Sequence, residues 1–330
     1  MVGRSKRPTD PSDPASERRE ASYGLWALAV PWVRAELPGW NKLLELAHAE
    51  PQHDAHWRGA GWIEIRCKSH GYRVRLDLSA AFERNTYFLA RYSELETELV
   101  MRHLLRPGDQ FVDGGANIGM VSLMAAHLVG PSGRVHAFEP NPAVYQRLLE
   151  HLDLNALRSV VTPYRLGLSN MEAPLRLRVV HNGPETGTVA TLPDELVPHV
   201  TDELTIRVAP GDDLLADTLV PERRTLIKLD VEGHEAEAVE GLRTTIDAQK
   251  PVLITDVIPE RFTPSHPCRL FPVLLGRGYR CFEVGLRKSG MRRHELTLRP
   301  VRALSELIGQ CELLWLPPDE SYGFERYAVS

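Results

Sequence analysis

The most informative run in the chain is Phe111-Val112-Asp113-Gly114-Gly115-Ala116-Asn117-Ile118-Gly119. It has the pattern of a strand that ends on an acid, followed by a glycine-rich turn and the start of a helix. In open sheets of parallel strands, ligands bind in the crevice beyond the carboxyl ends of the strands. Glycine allows the backbone to approach a ligand closely, and a helix N-terminus offers N–H groups and a partial positive charge. The run therefore predicts a ligand site where a strand passes into a helix.

The glycine spacing separates two kinds of cofactor site. The dinucleotide fingerprint GxGxxG would require a third glycine at position 116, where this chain has Ala116. The chain instead carries Asp113, Gly115 and Gly119, and a second strand pattern ends on Glu139. A carboxylate at that second strand end can accept hydrogen bonds from both hydroxyls of a ribose. The two acids together predict a site for a cofactor that contains a ribose.

Strand and helix patterns alternate on both sides of this run. Strands are expected at 110–114, 134–139, 161–168, 226–231, 252–257, 280–284 and 312–316, and helices at about 93–105, 117–129, 141–152, 234–247 and 267–277. This order predicts an α/β fold with a doubly wound, mainly parallel sheet. Two runs with polar alternation, 175–179 and 204–208, predict an antiparallel β insertion whose connecting loop is 181–200.

The part of the chain before this fold divides into two segments. Residues 1–20 are rich in Pro, Ser and charge and are expected to form a disordered tail. Residues 21–90 predict a helical and β-hairpin extension, and residues 91–330 the main domain. Five of the six tryptophans fall in or near the start of this extension: Trp26, Trp32, Trp40, Trp57 and Trp62. They predict a helix packed on the main domain, and an aromatic lid or a dimer surface is the alternative.

Composition excludes several classes of protein. The 330 residues are 43% hydrophobic and 25% charged, which is typical of a globular protein. The net charge of −5 argues against general nucleic-acid binding. The early apolar run 24–33 is too short to span a bilayer and contains Pro31, so we expect no membrane segment and a cytoplasmic location.

Metal binding is not expected from the sequence. Cys67, Cys268, Cys281 and Cys311 form no CxxC pair, and a chain of this size does not need disulfides. His48, His53 and His56 lie close together, but without a paired cysteine or carboxylate pattern we interpret them as solvated loop histidines.

Three segments combine into a recognisable signature. They are Asp113-Gly114-Gly115-Ala116-Asn117-Ile118-Gly119, Phe138-Glu139-Pro140-Asn141 and Ile227-Lys228-Leu229-Asp230-Val231-Glu232-Gly233-His234-Glu235. With these segments, about residues 90–317 resemble the FkbM family of class I S-adenosylmethionine-dependent methyltransferases. The resemblance implies a Rossmann-like methyltransferase sheet and S-adenosyl-L-methionine as the cofactor. It implies that Asp113 holds the methionine part, directly or through water, and that Gly115, Asn117 and Gly119 form the cofactor-binding turn. It also implies that Glu139 holds the ribose and that Ser169 borders the adenine.

The catalytic residues are expected after the fourth strand, whose carboxyl end should face the methyl group. An alcohol must lose its proton as it attacks, and an imidazole is the usual base. We therefore predict His234 as the base and Asp230 as the group that orients the acceptor or the imidazole. Helix capping by Glu232 or Glu235 is the structural alternative for this turn. A divalent metal shared by Asp230 and Asp256 is a further alternative, and we assign no metal ligand.

Several functions stay open at this stage. The leading hypothesis is O-methylation of a hydroxyl on a sugar, glycan or polyketide-like small molecule. A nicotinamide-dependent oxidoreductase, a non-catalytic cofactor-binding assembly protein and a nucleic-acid methyltransferase are the alternatives. The basic run 287–294 predicts a solvated loop or a patch that steers an anionic acceptor. The protein is also a possible homodimer.

Overall fold

The computed structural model describes residues 24–47, 49, 53–180, 187–188, 200–262, 267–289, 294–318 and 322–328. The chain divides into two compact units, of which the first ends at Ser93 and the second begins at Glu94. The expected tail, His48 and most of the expected loop 181–200 lie outside the described residues. None of the helices in the described part of the chain is both long and apolar enough to cross a membrane.

The first unit combines short helices with a hairpin. Its elements are α1 (Gly24–Arg34), α2 (Trp40–Leu46), α3 (Asp54–Trp57), β1 (Trp62–Arg66), β2 (Arg73–Asp77) and α4 (Ala81–Leu89). Strands β1 and β2 pair antiparallel, which confirms the predicted hairpin. The indole of Trp57 is 1% exposed in the core of this unit, whereas Trp32 and Trp62 are 46% and 42% exposed.

Helix α4 was not expected from the sequence, because polar side chains occupy its buried face. Glu83 is buried and accepts a hydrogen bond from the Asp77 N–H at 2.6 Å. Arg84 is fully buried and donates to the carbonyls of Leu78 and Ser79. A pattern based on apolar residues cannot detect a helix that buries polar groups in this way.

The second unit contains the remaining elements. Its helices are α5 (Leu95–Leu104), α6 (Met120–Val129), α7 (Pro142–Leu154), α8 (Gly211–Leu215), α9 (Glu235–Gly241), α10 (Arg243–Gln249) and α11 (Leu270–Leu275). Its strands are β3 (Gln110–Gly114), β4 (Arg134–Phe138), β5 (Val161–Tyr164), β6 (Gly167–Leu168), β7 (Ala173–Val180), β8 (Gly187–Thr188), β9 (Val200–Ala209), β10 (Thr225–Leu229), β11 (Val252–Val257), β12 (Arg280–Lys288), β13 (His294–Val301) and β14 (Cys311–Leu316).

The large sheet has the predicted doubly wound arrangement. In the described residues its strand order is β13-β12-β14-β11-β10-β3-β4-β5. Strands β11, β10, β3, β4 and β5 are parallel, and β14, β12 and β13 join them antiparallel. Every residue of β3 and β10 is buried, as expected for central parallel strands covered on both faces. The carboxyl ends of β4, β3, β10 and β11 therefore meet at one edge.

A second sheet forms the predicted antiparallel insertion. Its order among the described residues is β6-β9-β7-β8, and β7 pairs antiparallel with β9 from Ala173 to Val180. The strand expected at 161–168 is divided between the two sheets, because β5 pairs with β4 while β6 pairs with β9. The end of β6 leads directly to Ser169.

Besides small shifts at the ends of elements, two segments differ from the sequence expectation. The helix expected at 234–247 is divided at Leu242, a fully buried residue with φ −108° that ends α9 and precedes α10. The basic run 287–294 was expected to be a loop or patch, but Arg287 and Lys288 belong to β12 and His294 begins β13. Residues 290–293 lie outside the described part.

Candidate active site

The turn after β3 is closed against the end of β10. Gly115, Asn117 and Gly119 all have positive φ, at 83°, 51° and 95°. A Cβ atom at Gly115 would lie 2.0 Å from the carbonyl oxygen of Asp230, and one at Gly119 would lie 2.6 Å from Leu148 Cδ1. The glycines are therefore required by contacts within the protein as well as by the left-handed backbone.

Asp113 is a fully buried carboxyl group at this turn. Its Oδ2 accepts a hydrogen bond from Ser122 Oγ in the first turn of α6, and its Oδ1 has no hydrogen-bond partner among the described residues. Burial raises the pKa of Asp113 to about 6, against the opposing effects of the Lys228 charge and the Ser122 hydrogen bonds. Ser122 was missed by the sequence analysis, although it is a polar residue within an apolar helical run.

Glu139 connects the two halves of the predicted cofactor site. It is 7% exposed, and its Oε2 and Oε1 accept hydrogen bonds from the N–H groups of Asn117 at 3.0 Å and Asn141 at 2.8 Å. Burial raises the pKa of Glu139 to about 7, although both N–H groups favour the ionised form. The structure thus brings Glu139 and the glycine turn together, as the sequence predicts.

An ion pair between a buried lysine and a half-buried aspartate lies at the end of β10. Lys228 is 2% exposed, and its Nζ donates to Asp230 Oδ2 at 2.8 Å. Burial lowers the pKa of Lys228, but the charges of Asp230, Glu94 and Asp113 outweigh that effect and raise it overall. Among the described residues, Asp230 Oδ1 accepts no hydrogen bond. Lys228 belongs to the signature segment 227–235, but no role could be predicted for it from the sequence.

His234 lies beside the predicted adenine border. It is the N-cap residue of α9, and its Nε2 is 2.9 Å from the hydroxyl oxygen of Ser169. Its Nδ1 is 3.6 Å from Glu237 Oε2. Burial lowers the pKa of His234, while the charge of Glu237 acts in the opposite direction. A carboxylate near Nδ1 favours the tautomer with the proton on Nδ1, so Nε2 accepts from the Ser169 hydroxyl.

These contacts extend into a closed set that we call the α9 polar ring. Glu237 accepts from Arg269 Nη2 at 2.5 Å, Arg269 also donates to Glu240 at 2.9 Å, and Glu240 accepts from Asn170 at 2.7 Å. Its members are Ser169, Asn170, His234, Glu237, Glu240 and Arg269. The ring fastens the turn after β6 to α9.

The other acids of this edge have partners within the protein. Glu235 accepts from the Gly233 N–H at 3.0 Å, and burial raises its pKa to about 8. Glu232, at φ 56°, pairs with Arg261. Burial raises the pKa of Asp256 to about 7, and Gln310 donates to its Oδ2. Throughout the described ranges, no group of three or more His, Cys, Asp or Glu side chains is arranged to hold a metal ion.

The basic run is partly engaged on the surface of the sheet. Arg287 Nη2 donates to Glu295 Oε2 at 3.1 Å between the two strands of the β12–β13 hairpin, and its side chain is 67% exposed. Steering of an anionic acceptor by this run stays a prediction.

Comparison with known proteins identifies the family of this chain. The family model described as "Methyltransferase FkbM domain" matches residues 113–281. Hexuronic acid methyltransferase AglP of Haloferax volcanii is 29% identical over 191 residues, which are 56% of this chain and 70% of that protein. Methyltransferase sdnD of Sordaria araneosa is 31% identical over 198 residues, which are 53% of this chain and 74% of that protein. The crystal structure of methyltransferase FkbM from Methylobacillus flagellatus KT is 17% identical, with a TM-score of 0.38, over 84% of this chain and 60% of that chain.

Proposed function

Because the chain belongs to the FkbM methyltransferase family, we propose that it is an S-adenosyl-L-methionine-dependent O-methyltransferase acting on a hydroxyl of a sugar, glycan or polyketide-like small molecule. The observation that carries this proposal is the pair of buried carboxyl groups, Asp113 and Glu139, at the ends of the neighbouring parallel strands β3 and β4. The glycine turn lies between them, and Glu139 binds it directly through Asn117.

The residues of this edge fit the proposed cofactor. Asp113 Oδ1 is buried without a hydrogen-bond donor, which is costly for a carboxylate oxygen. The ammonium group of a methionine moiety is a donor that would satisfy it. Each oxygen of Glu139 accepts one N–H and keeps a second lone pair, which suits the two hydroxyls of a ribose. Ser169 follows β6 and would border the adenine.

The cofactor would supply a methyl group activated on a sulfonium. The tasks left to the chain are to orient the acceptor, to exclude water and to receive the hydroxyl proton. Asp230 suits the last task, because its Oδ2 is fixed by Lys228 while its Oδ1 has no donor among the described residues. His234, the base predicted from the sequence, would first have to release the Ser169 hydroxyl from Nε2. We therefore propose Asp230 as the proton acceptor and keep His234 as the competing base.

A pair of variants separates these two roles. Asp230→Asn keeps the shape and removes the charge, and we expect turnover to fall by about 10²–10⁴-fold, the usual worth of general-base assistance. His234→Ala should lower turnover less than Asp230→Asn and should also weaken cofactor binding, because it releases Ser169. Full wild-type turnover in Asp230→Asn, with loss in His234→Ala, would restore His234 as the base.

The substrate class is tested by an acceptor screen with methyl-labelled cofactor. One relative is named for a hexuronic acid, so the screen starts with uronic acids and includes neutral sugars and hydroxylated small molecules. Calorimetry with S-adenosyl-L-homocysteine, run alongside reduced nicotinamide cofactor, tests the cofactor itself. Binding of the nicotinamide alone would overturn the proposal, and tight S-adenosyl-L-homocysteine binding with no acceptor methylated would favour the assembly-protein alternative. The cytoplasmic location and the homodimer stay predictions.

A further inference from the structure

Lys228 is a buried cation that pairs with Asp230 and stands on the strand next to that of Asp113. It lies opposite Asp113 in the register of the parallel strands β10 and β3, so the two side chains extend from the same face of the sheet. The backbones of neighbouring strands in a sheet lie about 4.8 Å apart in the direction of their hydrogen bonds. The ammonium is 2% exposed and makes one hydrogen bond among the described residues, to Asp230.

Almost all the charged groups that interact with this ammonium are carboxylates. The charge of Lys228 interacts with those of six carboxyl groups. They are Asp113 on β3, Asp230 and Glu232 after β10, Glu94 before α5, Asp256 on β11 and Glu312 on β14. Most of them also have other partners within the protein. Asp113 accepts from Ser122, Asp256 from Gln310, and Glu94 and Glu312 from Thr97, while Glu232 pairs with Arg261. Glu139 also faces Asp113 and Asp230. Without Lys228, the like charges of the buried Asp113 and the half-buried Asp230 would repel each other without the offset that this cation gives.

We propose that Lys228 is a positioning residue that serves as a shared counterion: it pairs with Asp230 and offsets the charge of Asp113 on the neighbouring strand. Asp113 lies on the cofactor side of the site and Asp230 on the acceptor side, and this assignment rests on the proposed function. The counterion role itself concerns only this chain's own residues. It explains why a lysine stands in a strand whose every residue is buried.

The electrostatic effects on Asp113 agree with this role. Burial raises the pKa of Asp113, and the Lys228 charge acts against that rise. The charge of Asp230 acts on Asp113 in the opposite direction and raises its pKa. Asp113 therefore responds to both members of the ion pair, with opposite signs, and a variant of either member moves it in a known direction.

The test follows the titration of Asp113 in the ligand-free protein. The carboxyl carbons of aspartate are labelled with ¹³C, and the Asp113 signal is identified by its loss in Asp113→Asn. Lys228→Met should move the midpoint of Asp113 upward by about one to two pH units, as expected for loss of a nearby opposite charge. Lys228→Arg should stay close to the wild-type midpoint. Lys250→Met removes the same charge from an exposed position and should also leave the midpoint unchanged.

A second variant keeps the test decisive if Lys228→Met does not fold. Asp230→Asn preserves the shape of the pair and should lower the Asp113 midpoint, since the ammonium then serves one carboxylate. An Asp113 midpoint that does not move in Lys228→Met, or in Asp230→Asn, would overturn the proposal.

The same variants link the counterion to ligand binding. The affinity for S-adenosyl-L-homocysteine, measured by calorimetry between pH 5.5 and 8.5, should fall about tenfold at pH 7 in Lys228→Met and recover as the pH rises. An equal loss at every pH would indicate a purely structural role and contradict the proposal. If the wild-type protein bound no S-adenosyl-L-homocysteine at any pH, the proposed function would fail, and the ligand-free titration would still decide the role of Lys228.

Discussion

Gly115→Ala should damage the protein through a single backbone contact. The new Cβ would lie 2.0 Å from the carbonyl oxygen of Asp230, whereas carbon–oxygen contacts in proteins are about 3.3 Å or longer. The end of β10 would have to move by about 1 Å, and the alanine would also adopt φ 83°. A left-handed conformation costs an alanine about 1–2 kcal/mol, and overpacking of this kind adds about 1–3 kcal/mol. We expect the free energy of unfolding to fall by about 2–5 kcal/mol.

Gly108→Ala is the matched control for the cost of placing an alanine at a positive φ. Gly108 has φ 93° in the same unit, and the nearest atom to a Cβ there is Ser132 Oγ at 3.7 Å, an ordinary contact. This variant should lose about 1–2 kcal/mol. Urea unfolding of both variants measures the difference, which reports the contact with Asp230 alone. Equal stability of the two variants would refute the close approach of the glycine turn to β10.

The remaining predictions concern two buried titratable groups. Glu139→Ala should weaken S-adenosyl-L-homocysteine binding by about 10- to 100-fold, since losing a charge-assisted hydrogen bond costs about 1.5–3 kcal/mol; unchanged affinity by calorimetry would contradict the ribose assignment. His136 is 2% exposed and its Nε2 has no hydrogen-bond partner in the described structure, and burial lowers its pKa from 6.5 to about 4. A lowered histidine pKa means that the unfolded chain binds the proton more tightly, so this contribution to stability is complete above pH 6.5 and is lost as the pH falls towards 4. Compared with His136→Phe, the wild type should lose up to about 3 kcal/mol between pH 7 and pH 4 in urea unfolding, and parallel pH profiles would count against this burial.

The central features of the fold could be predicted because they depend on local patterns. Buried parallel strands produce apolar runs, and a glycine turn has few alternatives once its acid and its spacing are known. The glycine run and Glu139 therefore predicted β3, β4 and the turn that joins β3 to α6. The hairpin of the first unit and the antiparallel insertion were confirmed for the same reason, since half-buried strands alternate in polarity.

The features that were missed depend on contacts between distant residues. Helix α4 buries Glu83 and Arg84, whose partners a pattern cannot identify. Strand β13, which begins at the end of the basic run, was not predicted from the sequence. It is stabilised by antiparallel pairing with β12. The hydrogen bond between His234 and Ser169 joins residues that are 65 positions apart. Spacing along the chain indicated both residues separately, but only the folded chain shows them in contact.

The α9 polar ring has a consequence for redesign of this enzyme. Its members come from three separate segments, after β6, within and before α9, and before α11. A chimera that takes the β10–α9 segment from another protein keeps these contacts only if that segment supplies an imidazole opposite Ser169 and carboxylates opposite Asn170 and Arg269. Otherwise the turn after β6 loses its side-chain contacts with α9, and Arg269 loses its two carboxylate partners. An exchange of the β10–α9 segment should therefore include residues 169–170 and Arg269, so that all three parts of the α9 polar ring come from the same protein.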